Sequence, residues 1–456
     1  MQMKITGKVL IEMGYKQGKW FKKALKHANA HRLVDVELRE YLDSVMPHFV
    51  EPHKKAILFH KNIKASTKEE ESNVTSVLDT MYAVMKTPTV INGAVMPDAC
   101  PTGGMGRIPV GGVVLTKDAI HPAMHSADVC CSVMMTNVGF VDPKKVLDSA
   151  FEATHFGGGG REDLFVLPSE LEDRIKGNYF LKGPGSLHAA KTQLGTQGDG
   201  NHFLYVGQLE SSGETIIVTH HGSRAFGAKL YKEGMKAAES FRKEISPNTL
   251  KANAWIPYTE DKGQKYWDAL QIVRSWTKLN HQVLHESISQ KLNVDIVNTF
   301  WNEHNFVFKD EDIFYHAKGA TPLDDKFVPD SQDGLRLIPL NMSEPVLIVK
   351  GDTTKNNLGF APHGAGRNIS RSQHIRNNSG KSIEEIFAEE TKGLDIRFYS
   401  GHIDISELPS AYKNAENVKE QMKEFGLGKV VDEILPYGCI MAGNWKIDAP
   451  WRKKKR

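Results

Sequence analysis

The chain has 456 residues, 40% of them hydrophobic and 25% charged, with a net charge of only +3. This is ordinary for a globular protein with one large core or two or three average domains, and no global field marks a nucleic-acid binder. No apolar run approaches the roughly 18 residues that span a bilayer, and Met1-Gln2-Met3-Lys4-Ile5-Thr6 lacks the build of a signal peptide, so a cytoplasmic protein without a membrane partner is expected.

In chain order, Lys68-Glu69-Glu70-Glu71 reads as a solvated helix face, and Gly112-Val113-Val114-Leu115 as a buried strand. The glycine run 157–160 reads as a flexible loop. Thr215-Ile216-Ile217-Val218 is a second buried strand, with His220 expected just past its end. The clearest helix covers 263–292, where Tyr266, Leu270, Val273, Trp276, Leu279, Val283, Leu284 and Ile288 fall near helical spacing and predict a core-facing stripe. Pro345-Val346-Leu347-Ile348-Val349 is another strand. Helices follow at 381–391, where Ser382 and Glu385 are spaced as a capping box, and at 415–425. Helices and short strands mix without regular βαβ alternation, which predicts an α+β fold. Nothing divides the chain, so 1–450 is expected to be one large catalytic domain. The basic residues of 451–456 read at least as well as a solvated tail as an RNA-gripping arm.

The four cysteines (Cys100, Cys130, Cys131, Cys439) are too few and too irregularly spaced for a disulfide framework. Asp128 and Cys131 lie three apart and can face one ion, and a thiolate can bridge two. From that segment alone, a buried cysteine beside a capping aspartate is the better reading. His202 after Asn201, the pair His220-His221, and His304-Asn305 all sit near glycine or asparagine turns. Mixed Cys, His and Asp donors suit Mn, Fe, Co or Zn. In Pro362-His363-Gly364-Ala365-Gly366-Arg367, small neighbours let an imidazole reach a phosphate, and histidine is an established covalent nucleophile. Lys318 and Arg224 are candidate phosphate-binding cations.

These motifs, taken in order, resemble the RtcB family of RNA-splicing ligases. The resemblance runs from Met96-Pro97-Asp98 through Asp128-Val129-Cys130-Cys131, Gly200-Asn201-His202-Phe203 and His220-His221-Gly222-Ser223-Arg224. It continues through His304-Asn305, His316-Ala317-Lys318-Gly319-Ala320-Thr321, the His363 loop with Ser370-Arg371, and Ala411-Tyr412-Lys413. It implies a two-Mn²⁺ site in which Asp128, Cys131 and His202 hold one ion and Cys131, His220 and His304 the other. His363 would take GMP from GTP. The nucleotide would lie among Asn201, His202, Phe203, Tyr205, Asn305, Pro339, Asn341, Met342, Gly364, Ala365, Gly366 and Arg367. The implied substrates are RNA 3′-phosphate or 2′,3′-cyclic phosphate ends and 5′-hydroxyl ends, in RNA repair or tRNA splicing; some relatives also require an activating protein partner. Two other readings stand beside the ligase: a metal-dependent RNA-end phosphoesterase and a non-catalytic RNA-end binder.

The departures cluster. Tyr205 stands at a glutamate that contacts guanine in the family, Pro339-Leu340-Asn341-Met342 replaces Pro-Gly-Ser-Met, and Ala442-Gly443 replaces Lys-Gly. Cys130 replaces a glycine, Cys100 a histidine and His221 a serine. Metal and nucleophile positions are kept while base-reading positions change, so the chain reads as a divergent branch whose preference for GTP is relaxed or altered.

Overall fold

The computed structural model describes residues 4–448 apart from 19, 47, 48, 105, 330 and 332; the basic tail at 451–456 lies outside the described residues. Two sheets and the helices packed on them form the α+β body. The first sheet orders His60–Lys61, Val90–Cys100, Val110–Lys117, Ile313–Lys318 and Asn305–Asp310, antiparallel except for the first pair. The second runs Arg336–Pro339, Val346–Lys350, Lys429–Met441, Phe203–Leu209, Thr215–His221, Ser132–Asn137 and Asn298–Glu303, with Asp395–Phe398 pairing in parallel beside Lys429–Met441. The Asn302 side chain bridges the first and last strands of that path. Its Oδ1 accepts from Leu337 N at 2.8 Å and its Nδ2 donates to Leu337 O at 3.3 Å.

The predicted strands at 112–115 and 215–218 form with longer bounds, Val110–Lys117 and Thr215–His221, because their flanking residues also pair, and the one at 345–349 forms one residue later, as Val346–Lys350. Thr215–His221 is buried throughout, so His220 and His221 lie inside the strand, opposite Val133 and Ser132, rather than past its end. The long helix runs Asp261–Leu292 and ends at Asn293 in the left-handed conformation, φ 55°. Its stripe is buried as expected at Tyr266, Leu270, Val273, Trp276, Leu284 and Ile288, while Leu279 and Val283 are half-buried. The same face hides polar groups that apolar periodicity passes over. Asn280 accepts from Gly195 N at 2.6 Å and donates to Thr196 O at 3.0 Å, and Thr219 Oγ1 lies 2.7 Å from both His281 and His285. The third predicted helix is Ala415–Phe425, capped by Asn414. The second narrows to Ile383–Glu390, with Ser382 accepting from Glu385 N.

Two local expectations are corrected. In the helix Lys68–Val84, Glu70 is buried and accepts from Ser66 N at 2.6 Å, closing the helix start instead of facing solvent. The 157–160 loop is held in place. Gly157 N donates to Gly198 O at 2.6 Å, and a Cβ on Gly160 would lie 2.4 Å from Thr192 O, a close approach that only glycine allows. Ahead of the body, the helices Gly7–Glu12, Trp20–Ala30 and Asp35–Val45 bury a small apolar cluster of their own around Leu10, Phe21 and Leu42. No helix among the described residues is long and apolar enough to cross a membrane.

Candidate metal and nucleotide site

The strand register gathers the candidate ligands at one end of three neighbouring strands. Cys131 immediately precedes Ser132–Asn137, His220 lies near the end of Thr215–His221, and His304 stands between Asn298–Glu303 and Asn305–Asp310, where the chain passes from one sheet to the other. His304 N donates to Cys131 O at 2.9 Å and Cys130 N to Asn305 O at 2.7 Å, tying this corner together. Two triads result: Asp128, Cys131 and His202; and Cys131, His220 and His304. In each, the donor atoms lie within 4.8 Å of one another. Cys131 Sγ, common to both, lies 3.2 Å from His220 Nε2 and 3.6 Å from His202 Nε2. His202 Nε2 is 3.1 Å from Asp128 Oδ2, and His220 Nε2 is 3.2 Å from His304 Nε2.

The orientation of the rings supports a metal. His202 Nδ1 lies 2.6 Å from Gln197 O and His220 Nδ1 lies 3.0 Å from Asn201 O, so each Nδ1–H donates to a carbonyl and leaves the Nε2 lone pair facing the cluster. Burial pushes the His220 imidazole down to about 3 and the His304 imidazole well below its ordinary value, keeping both neutral, as ligation requires. Burial raises the Asp128 carboxyl, but His202 beside it more than offsets this and brings it to about 2. Burial, and then Asp128, drive the Cys131 thiol well up, so a cation bound there must displace its proton. With mixed N, S and O donors and neutral rings, the residues fit a pair of transition-metal ions.

His363 lies beside this cluster, its ring centroid 4.9 Å from that of His304. Sequence reasoning placed Asp98 in a motif without a role. The fully buried Asp98 Oδ2 lies 2.6 Å from His363 Nδ1 and accepts from His363 N at 3.1 Å. Asp98 therefore fixes both the loop and the tautomer, leaving Nε2 with its lone pair free. Gly366 has φ 72°, and a Cβ there would lie 1.9 Å from Asp98 O, so glycine is what lets this loop close on Asp98.

A cavity of about 270 Å³ opens beside His363. Of the predicted nucleotide contacts, Asn201, Phe203, Tyr205, Pro339, Asn341, Met342, Gly364, Ala365, Gly366 and Arg367 line it. Two do not. His202 faces the metal cluster, and Asn305 Oδ1 is occupied by Gly319 N at 2.7 Å. Leu340, Val346, Cys439 and Met441 complete largely apolar walls. Tyr205 Oη donates to Ile434 O at 2.8 Å, so its polar tip is spent on the backbone. At the rim, Glu407 holds Arg367 and Arg371 at 2.6 Å each and accepts from Tyr412 Oη at 2.6 Å. Only a longer view than single motifs could have found that cluster, since 367, 371, 407 and 412 lie on separate turns.

The two candidate phosphate cations each hold a backbone carbonyl. Arg224 donates to Thr196 Oγ1 at 3.2 Å and to Gly157 O at 3.1 Å. Lys318, its ammonium lowered to about 8 by burial, donates to Ile108 O at 3.2 Å. Of the substituted positions, Cys130 takes φ 60°, a left-handed conformation natural to glycine, and His221 is buried with its ring stacked 3.5 Å from that of His281. None of the four cysteines is paired with another.

Comparison with known proteins agrees with this site. The family model described as tRNA-splicing ligase RtcB matches residues 181–442. Similar curated proteins, each named tRNA-splicing ligase RtcB, include one from Pyrococcus abyssi, 26% identical over 337 residues. That match covers 64% of this chain but 36% of the relative, so the chain spans about a third of its length. The Archaeoglobus fulgidus protein is 25% identical over 423 residues, covering 75% of this chain and 86% of its own. The Aeropyrum pernix protein is 28% identical over 341 residues, covering 64% and 69%. The family model spans more than half of the chain and contains three of the five candidate metal ligands, His202, His220 and His304, together with His363: the chain belongs to the RtcB family, as a divergent member.

Proposed function

We propose that this chain is a metal- and nucleotide-dependent RNA ligase that joins 3′-phosphate or 2′,3′-cyclic phosphate ends to 5′-hydroxyl ends. The observation that carries the reading is the pair of triads sharing Cys131, with an oriented histidine beside them. Asp128, Cys131, His202, His220 and His304 would hold two ions, and family membership favours Mn²⁺. Bound there, the ions would supply Lewis-acid stabilisation of phosphate oxygens.

The residues do the rest. His363 Nε2 attacks the α-phosphorus of the nucleotide, forming an N–P bond as the bond to the bridging oxygen breaks and pyrophosphate leaves. Asp98, accepting from Nδ1–H, stabilises the imidazolium so formed. An RNA 3′-phosphate oxygen then takes the nucleotidyl group and frees His363. The 5′-hydroxyl attacks that 3′-phosphorus, and the nucleoside monophosphate departs. A cyclic end must first be opened by water to a 3′-phosphate. GTP is the expected nucleotide by family, but the walls around Tyr205 offer few groups to read a guanine edge, so relaxed base choice is part of the proposal. RNA repair or tRNA splicing is the setting, in the cytoplasm, with an activating protein as a further partner.

The test is adduct labelling. The protein, loaded with Mn²⁺, is incubated with each α-labelled nucleoside triphosphate and denatured. Acid-labile, alkali-stable label that is lost in His363→Ala supports the ligase. Absence of label from every nucleotide would sink it. The apolar cavity then favours the second reading, a phosphoesterase that opens cyclic phosphates without ligating.

A further inference from the structure

The N-terminal helices carry a charge distribution unlike the rest of the chain. Residues 1–34 contain seven lysines and one arginine against one glutamate, a net +7, where the whole chain carries +3. The next helix, Asp35–Val45, is acidic, with Asp35, Glu37, Glu40 and Asp43 against Arg39, so the two signs are segregated onto adjacent helices. In Trp20–Ala30, Phe21, Ala24 and Ala28 turn inward, while Lys22, Lys23 and Lys26 are exposed and have no ion-pair partner among the described residues. Beside them the exposed His27 ring stacks on His31 at 3.9 Å and on Tyr41 at 4.4 Å. The rings are thus stacked on one another, and the unpaired cations beside them suit the phosphates of a polyanion.

The segment that follows the module is anchored on the body. As the chain leaves the module, Val50 N donates to Ile245 O at 2.7 Å, and Asn248 Nδ2 donates to Glu51 at 2.8 Å, both at the C-terminal end of the helix Arg224–Ile245. The other end of that helix follows Gly222, where a Cβ would lie 2.1 Å from Asp128 Oδ1. Its 22 residues span about 33 Å at 1.5 Å per residue.

We propose that the Lys22, Lys23 and Lys26 face of the N-terminal module grips the RNA backbone away from the broken end held at the metal cluster. The proposal rests on the reading of RNA as substrate. The test uses the full chain with Lys22, Lys23 and Lys26 all changed to glutamate, and a second variant with all three changed to glutamine should the first fail to fold. Two RNAs with 3′-phosphate ends are titrated at several salt concentrations, one of about six nucleotides, to occupy the metal cluster alone, and one stem of about twenty base pairs, to extend beyond it. The long RNA should bind about tenfold more weakly or worse, and the slope of log affinity against log salt should shrink by about two to three. The short RNA and His363 labelling should be unchanged. Unaltered affinity and slope on the long RNA would overturn the proposal, and equal loss on both lengths would overturn the placement. Wild-type protein that takes no label defeats the ligase reading alone, because the RNA titration still decides this one.

Discussion

Replacing Asp98 with asparagine keeps the shape of the side chain and removes its charge. Asp98 is fully buried and contributes to neither triad, so metal content and fold should survive. What changes is the 2.6 Å contact to His363 Nδ1. A hydrogen bond to a charged group is worth about 1.5–3 kcal/mol, which as lost stabilisation of a forming imidazolium is about 10- to 150-fold in rate. An asparagine can also present its amide N–H to Nδ1, which would move the proton to Nε2 and block the nucleophile, so the larger end of the range is expected. The assay is single-turnover label incorporation by Asp98→Asn against wild type, with manganese content measured on the same samples. Labelling within about threefold of wild type, at equal metal, would show that Asp98 neither sets the tautomer nor stabilises charge on His363.

Four further outcomes are expected. Cys131→Ser should lower the bound metal by both ions and His202→Ala by one, read by elemental analysis after dialysis, because only the thiolate is common to the two triads; equal losses would refute the shared sulfur. Gly366→Ala should abolish labelling while leaving metal bound, since its Cβ would lie 1.9 Å from Asp98 O and the loop must move; normal labelling would show that the loop has room. Burial lowers His121 and His285 to about 3 and His125 to about 4. Their folded values lie below the unfolded value of about 6.5, so stability is complete above about pH 6.5 and is lost as pH falls from there toward 3–4. The urea midpoint of metal-free protein should therefore drop between pH 7 and 5, less steeply in His285→Gln, and an identical slope in the variant would contradict the assignment. Finally, Tyr205→Phe should leave the ranking of nucleotides unchanged, because the hydroxyl is already held by Ile434 O; a changed ranking in competition labelling would place that hydroxyl against the base.

Much of the site was legible because its chemistry is local. The glycines around His363 announce a close approach within a few residues. The same holds for the apolar stripe of the long helix, which periodicity locates to within two residues of its observed start at Asp261. Asp128 with Cys131, in contrast, read as ligands only through the ordered set of motifs and not from their own segment. What stayed hidden depends on pairing across the chain. Asp98 and His363 are 265 residues apart, and nothing near either one names the other. The placement of His220 was misread because a run of apolar residues suggests where burial stops, whereas Thr215–His221 remains buried to its end between two neighbouring strands. Arg224 and Lys318, read from their motifs as phosphate-binding cations, also hold backbone carbonyls, Gly157 O and Ile108 O, that no motif names.

His304 stands at the turn between Asn298–Glu303 in the larger sheet and Asn305–Asp310 in the smaller, while His220 lies within a strand of the larger sheet and Cys131 immediately precedes another. An ion shared by these three would act as a rivet at the seam. Its binding energy would enter the mechanical coherence of the whole body, and a chelator would loosen the joint between the sheets as well as silence the chemistry. Metal supply would then govern how long the protein lasts as much as how fast it works.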